Sequence, residues 1–372
     1  TLLIIWHGAL FPSYRKPFWL LQDKYGWDVH LLAPRNWSKA LPRKTKLQHS
    51  KEETITIHKQ IAWGKFHGAL FFHPSFPLLF NQIKPDIVLT IEEPFSLMGW
   101  LATYWCKRKV PNVPTILYSY QNILKAYKPP FSWMERFVLR HADRILTSDT
   151  HVGHVLMQKG YNKLWDTISL GVNLERFHYK SPRGESSIFT LGYVGRLADE
   201  KGIDTLLWSL VDLDDAIRLR LVGDGPARFR LEKLARELGV TERVAFLGPI
   251  PHEDLPGTYH EFDALVLPSK TTKHWKEQFG RVLIEAMACG VPVIGSKSGA
   301  IPEVIGEDGM IFPEGNSNKL ADRIQDLYTD IQLRNRLSLH GRIRVEHRYS
   351  DTHVAQRLHE HLTEVFHLAR SN

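Results

Sequence analysis

Glu277-Gln-Phe-Gly-Arg-Val-Leu-Ile-Glu285-Ala-Met-Ala-Cys-Gly290-Val-Pro-Val-Ile-Gly295 reads as a loop, a short helix and a strand. Val282, Leu283, Ala286 and Met287 fall on one side of a 3.6-residue helix, with Glu285 well off it. Gly290 suits the left-handed position past the helix end, and Val291 to Ile294 form an apolar run. Glu277 and Gln278 come just before the first turn, beside Gly280, where backbone N–H groups and the positive end of the helix dipole face an incoming anion. The stretch is therefore a candidate phosphate site with a carboxylate on each flank. Such acids are better used as acceptors for neutral hydroxyls, those of a sugar and a ribose. The competing reading is a buried amphipathic helix bearing two solvated glutamates.

Working outward, Phe189-Thr-Leu-Gly-Tyr-Val194 is a strand that exits through Gly195 into Arg196-Leu-Ala-Asp-Glu-Lys201-Gly202, a loop opening onto a helix. Arg196 offers a planar fork of donors and Lys201 a mobile point charge, a pair suited to a diphosphate. Leu219 to Val222, Val244 to Leu247 and Asp263 to Leu267 read as further strands. Past Asn316 one helical stretch runs through Leu320 to Arg336. A final helix over Thr352 to Ala369 carries Val354, Leu358, Leu362 and Phe366 at four-residue steps.

The first half has the same grammar. Leu2 to Trp6 is a strand, His7-Gly8-Ala9 its loop, Lys16 to Tyr25 a helix and Asp28 to Ala33 a second strand. Only Gly8 stands where dinucleotide folds want three glycines, which argues against a cofactor-binding dehydrogenase. Pro85 to Ile91 is a buried strand ending in Glu92 and Glu93, and Thr115 to Ser119 leads to Gln121. Carboxylates at strand ends lie where open α/β sheets bind ligands, so Glu92 and Glu93 are acceptor-side candidates, and Gln121 can orient a sugar hydroxyl on that side through its amide. Lys128 to Arg144 begins with prolines and continues as an amphipathic helix, followed by a strand from Ile145 to Ser148.

Composition bounds these readings. At 372 residues, 43% hydrophobic and 24% charged, the chain is expected to form two globular domains of roughly 180 residues each. No run approaches the ~20 apolar residues of a membrane span. Cys106 and Cys289 offer no disulfide or metal framework, so a reducing cytoplasm is the default. The net charge of +8 is uneven: residues 1 to 175 hold 22 Lys and Arg against 12 Asp and Glu, and nine of the eleven tryptophans. Arg43, Lys44, Lys46, Lys51, Lys59 and Lys65 contribute much of this. Such a half suits an anionic membrane surface, such as the inner face, or a phosphate-bearing acceptor. No nucleic-acid reader motif accompanies it. Charge reversal at Lys44, Lys46 and Lys51 is expected to weaken membrane association.

The spacing E-Q-F-G-x-V-x-x-E-A-M-A-x-G-x-P-V-I resembles the signature of retaining glycosyltransferase family four, a branch of the GT-B fold. The likeness is close over residues 190 to 315 and holds in outline before them. It implies an α/β protein of two Rossmann-like, doubly wound domains facing across a cleft. These would be 1–177 on the acceptor side and 188–348 for the nucleotide sugar, with the helix of 349–372 packing back on the first. It implies that Arg196 and Lys201 hold the donor phosphates with amides at Arg281 and Val282, that Gly8 approaches the diphosphate, and that main-chain groups at Ile250 meet the base. Glu285 would take the ribose, and Glu277, Gln278, Phe279 and Gly280 the donor sugar. Catalysis is assigned to Glu277, Arg196 and Lys201, with retention by front-face attack. Many relatives place a histidine where Gln121 stands, so no general base is assigned there. The donor implied is UDP-hexose, with GDP next, and the acceptor a glycan or lipid-linked glycan of polysaccharide biosynthesis. No cofactor is implied. Two cations and a helix start neutralise the diphosphate without a metal, and no D-x-D stands where one would be held. A nucleotide-sugar epimerase, or a non-catalytic sugar- or membrane-binding protein, is the alternative.

Overall fold

The computed structural model describes residues 1–37, 45–64, 69–182, 184 and 187–371. Arg43, Lys44 and Lys65 of the basic run lie outside them. The chain forms two compact units, Thr1–Gly171 with Asp351–Asn372, and Val172–Ser350.

The first unit contains β1 (Leu2–Ile5), β2 (Val29–Pro34), β3 (Asn36–Trp37), β4 (Thr45–Lys46), β5 (Thr56–Gln60), β6 (Ile87–Thr90), β7 (Thr115–Ser119), β8 (Arg144–Thr147) and β9 (Trp165–Thr167). Seven of these form a parallel sheet in the order β5-β2-β1-β6-β7-β8-β9, while β3 and β4 make a small antiparallel pair. Leu2-Leu-Ile-Ile5 and Ile87-Val-Leu89 are fully buried, as unbroken apolar strands covered by helices on both faces must be. The strand order reverses between β1 and β6, which puts a crevice at their carboxyl ends.

The first helix, Pro12–Tyr25, begins earlier than the periodicity suggests because a proline occupies its opening turn, where no N–H partner is needed. The helix Asp351–Ser371 lies against it. Val354, Leu358, Leu362 and Val365 share one apolar cluster with Phe18, Leu21 and the β1 side chains. Tyr25 stacks on His359 with centroids 4.2 Å apart, and Arg144 pairs with Glu364 at 2.6 Å. Among the elements with no sequence reading above are the helix Leu97–Lys109, whose N-cap Ser96 accepts from Gly99 N–H at 3.0 Å, and the edge strand β5.

The second unit contains β10 (Phe189–Val194), β11 (Ile217–Val222), β12 (Val244–Gly248), β13 (Ala264–Leu267), β14 (Val293–Ser296) and β15 (Met310–Phe312), parallel in the order β12-β11-β10-β13-β14-β15. Here the order reverses between β10 and β13. The unit begins at Val172, whose N–H donates to Tyr349 O at 2.8 Å. Phe177, the expected end of the first domain, is instead buried in the second unit with its ring 6.0 Å from Tyr259. The single helical stretch expected after Asn316 is two helices, Ser317–Thr329 and Ile331–Arg348. Asp330 separates them in an extended conformation and caps the second, accepting from Leu333 N–H at 2.9 Å, the behaviour that keeps aspartate out of helix interiors.

Candidate active site

In the second unit the loops at the carboxyl ends of β10, β13 and β14 converge on Glu277. Ser269, two residues beyond β13, donates its hydroxyl to Glu277 Oε2 at 2.7 Å, and Lys201 Nζ donates to the same oxygen at 2.7 Å. Lys201 also lies 4.7 Å from the centroid of the Trp275 ring. The main chain is fixed as tightly. Glu277 O accepts from Ala300 N–H at 3.1 Å, and a Cβ at Gly299 would stand 1.9 Å from that oxygen. Gly202, at φ +66°, would bring a Cβ to 2.0 Å from Pro268 O, so only glycine lets the Lys201 loop approach the loop after β13.

The helix of the signature is Arg281–Ala288, entered from Gly280 at φ 80° and left through Gly290 at φ 82°. It is buried on nearly every side, because the helix Ile331–Arg348 covers what the sheet does not, with Gly341 against Met287. The two glutamates are therefore not solvated: Glu277 is 7% exposed and Glu285 2%. A buried carboxylate needs donors, and Glu285 has them. Tyr259 Oη donates at 2.8 Å and His252 Nε2 lies at 3.0 Å, while Arg281 Nε makes an ion-pair contact at 3.4 Å. Burial, aided by the Glu285 charge, pushes the Tyr259 phenol well above its usual range and keeps it a donor.

Arg196 is placed differently from Lys201. It is largely exposed and pairs with Glu200 one turn on, while its main-chain O accepts from Tyr193 Oη at 2.9 Å. Of the remaining candidates, Gln278 is exposed, Val282 and Ile250 are half-buried, and Phe279 is buried against Tyr349 with centroids 5.8 Å apart.

The first unit brings its candidates together at its own strand reversal. His7 follows β1 and Glu92 follows β6; both the backbone N–H and Nδ1 of His7 lie 2.8 Å from Glu92 Oε1. Gly8 is beside them, with Trp6 filling the space a Cβ would take. Glu93 is half-buried and accepts from Ser119 Oγ at 2.6 Å and Tyr120 N–H at 2.9 Å. Burial, opposed by those two bonds, pushes its carboxyl up to about 7. Gln121 Nε2 donates to Tyr127 Oη at 3.2 Å and to Glu135 at 3.4 Å. Its Oε1 is buried without a hydrogen-bond partner among the described residues.

His7, Ser269, His252 and Tyr259 were not singled out from the sequence. The one signal available was position, since each follows a strand end or its first loop. Among the described residues no group of three or more His, Cys, Asp or Glu could hold a metal ion.

Two doubly wound parallel-sheet units, with a lysine–glutamate pair at one strand reversal, define the GT-B class of glycosyltransferases. Its solved structures include the sucrose-phosphate synthase of Thermosynechococcus elongatus, with TM-score 0.77, 22% identity and 99% of each chain covered. The Anabaena protein Alr3699/HepE in complex with UDP and glucose gives TM-score 0.73 and 19% identity, over 97% of this chain and 99% of that one. Residues 177–344 match the family described as glycosyl transferases group 1, and residues 21–176 match glycosyltransferase family 4. The chain belongs to the group 1 glycosyltransferases of GT-B fold. Among curated relatives, the sulfoquinovosyl transferase SQD2 of Arabidopsis thaliana is 29% identical over 281 residues. That match takes in 68% of this chain and 52% of the relative, so the chain spans about half the relative's length.

Proposed function

We propose that this protein is a retaining hexosyltransferase. It moves a hexose from a nucleotide-diphosphate sugar, UDP-hexose foremost, to a hydroxyl of a glycan or lipid-linked glycan in polysaccharide biosynthesis, on the cytoplasmic face of a membrane. One observation carries the reading: Lys201 and Ser269 meet on the buried Glu277 carboxylate, one turn ahead of a helix start. The Anabaena neighbour, solved with UDP and glucose, supports the choice of UDP.

In this reading Lys201, Arg196 and the amides at Arg281 and Val282 stabilise the diphosphate as its charge grows. Arg196 leaves Glu200 to do so. Glu277, with Gln278, Phe279 and Gly280, orients the hexose. Glu285, braced by Tyr259 and His252, accepts from the ribose, and main-chain groups at Ile250 meet the base. The bond from the anomeric carbon to the phosphate oxygen breaks as the bond to the acceptor oxygen forms on the same face. The acceptor's proton passes to the departing phosphate oxygen. Glu92, Glu93 and Gln121 serve the acceptor. Lysine and helix-start amides supply the charge neutralisation, so transfer should persist in chelator; loss of activity restored by Mn²⁺ would show a metal is needed.

The test of the nucleotide assignment is a thermal-shift panel of nucleoside diphosphates and nucleotide sugars. A ligand at about 100 times its dissociation constant adds about 2.7 kcal/mol to stability. UDP and UDP-hexoses should give the largest shifts in wild type, and the shift from UDP-hexose should shrink in Glu277→Gln. A panel with no response to any nucleotide would defeat the reading.

A further inference from the structure

The helices Leu97–Lys109 and Phe131–His141 lie side by side in the first unit, joined by aromatic contacts. Trp100 stacks on Tyr104 at 5.3 Å, Tyr104 lies 6.0 Å from Phe137, and Phe137 stacks on His141 at 4.1 Å. Outside this seam each helix presents one stripe. On the second helix it is Trp133, Arg136 and Arg140, at spacings of three and four residues. On the first it is Tyr104 and Arg108, one turn apart. Trp133 is 62% exposed and Tyr104 40%. The loop entering the second helix adds Leu124, 59% exposed, with Lys125 and Lys128.

Charge sign separates this face from the rest of the basic half. The two helices hold a single acid between them, Glu135, and it points inward, buried and paired with Lys159 Nζ at 2.7 Å. The outer stripes therefore carry arginines and large aromatics without a carboxylate. The other basic stretch is mixed: Lys46 and Lys51 are exposed, and the exposed Glu52 directly follows the second. A groove of about 650 Å³ runs along the second helix, lined by Trp133, Arg136, Arg140, His141, Lys159 and Asn162. Its size and charge suit a phosphate-bearing headgroup.

Indole and leucine side chains held out beside arginines are costly in water. They are favourable at the boundary between lipid headgroups and acyl chains. We infer that this two-helix face is where the protein docks, in plane, on an anionic lipid bilayer. The inference deepens the proposed function and rests on it in one respect, the membrane-tethered acceptor. Glu135, on the inner side of the docking helix, accepts from Gln121, so a glycan anchored in that bilayer is delivered beside the acceptor-side residues.

The experiment is co-sedimentation with vesicles of phosphatidylcholine containing about a quarter phosphatidylglycerol, and with vesicles of phosphatidylcholine alone. Wild type should partition to the first and little to the second. Arg136→Gln with Arg140→Gln should lower partitioning about twenty-five-fold, at about fivefold per cation. Trp133→Ser should lower it further; in place of the role the sequence suggested for the lysine stretch, Lys46→Gln with Lys51→Gln should change it by less than about twofold. UDP-induced thermal shifts of all variants should match wild type, which shows that they fold. Partitioning unaffected by the arginine pair, or abolished by the lysine pair, overturns the assignment. So does a wild type that ignores both vesicles, or one whose arginine face binds a single-stranded oligonucleotide in preference to lipid. A failed vesicle arm with intact UDP shifts removes the docking face alone. Absent UDP shifts remove the transferase reading and leave the docking result standing.

Discussion

Both units reverse their strand order at the same place in the topology, between the first strand and its neighbour across the crevice, and each puts a nitrogen base against a carboxylate there. In the second unit the pair is Lys201 and Glu277, with Ser269 as a further donor. In the first it is His7 and Glu92, with the half-buried Glu93 alongside. The architecture is shared and the chemistry is not. A lysine ammonium only donates, whereas an imidazole can donate and accept, and Glu93 is pushed up to about 7. On the proposed reading, fixed charge serves a leaving diphosphate, and titratable groups serve a neutral hydroxyl.

The largest effects should come from breaking the second unit's pair. Glu277→Gln keeps the shape and removes the charge, and transfer should fall by about 10² to 10³, the worth of a well-placed electrostatic group. Lys201→Met should lose as much activity and also stability, on the order of 3 kcal/mol, because it removes the counter-charge of a buried carboxylate. Steady-state transfer and urea unfolding measure the two. Activity within about tenfold of wild type in Glu277→Gln would detach this pair from catalysis.

The next effect belongs to Glu93 and concerns pH. Its carboxyl is held up to about 7 chiefly by burial, above its unfolded value. Between those two values the folded state binds the extra proton, so stability is lost as pH rises through about 7. The span corresponds to about 3 kcal/mol. Glu93→Gln should flatten that part of the profile and make the protein more stable than wild type at about pH 8. Parallel urea profiles of the two proteins across this range would show that the carboxyl is not held up.

A smaller effect is expected at His7, whose ring is half-exposed while Glu92 is buried. His7→Ala should lower transfer about tenfold, the scale of one charge-assisted hydrogen bond, and leave UDP affinity unchanged by calorimetry. A fall in UDP affinity as large as the fall in rate would make the two reversals alike in function and erase the contrast.

How much of this could be read beforehand follows the range of the interactions. The signature was legible because its cues are local: Gly280 and Gly290 adopt the positive φ their positions call for, and the apolar periodicity marks the helix between them. The parallel sheets were legible in strands such as Leu2–Ile5, where every residue is buried. What escaped was contact at a distance. His7 finds Glu92 across 85 residues, and His252 finds Glu285 across 33; no spacing rule encodes either. Glu285 was read as lying off the apolar side, which is right for a lone helix. The surrounding helices bury that side too, and periodicity within one segment cannot report what covers it.

His252 gives the finest test of the comparison. It is the second unit's own imidazole–carboxylate contact, 3.0 Å from Glu285, but here the carboxylate has a second firm donor in Tyr259 at 2.8 Å. Removing the histidine leaves Glu285 still oriented, so the loss should be near the ordinary worth of one hydrogen bond, about 1 kcal/mol or fivefold in UDP affinity. Tyr259→Phe should cost a similar amount. The double variant should cost more than the two losses added, since it alone leaves the buried carboxylate without either donor. Calorimetric titration of UDP into the three variants decides it. If His252→Ala alone abolished binding, the histidine would be contacting the nucleotide directly, and the resemblance between the two imidazole–carboxylate contacts would be one of geometry only.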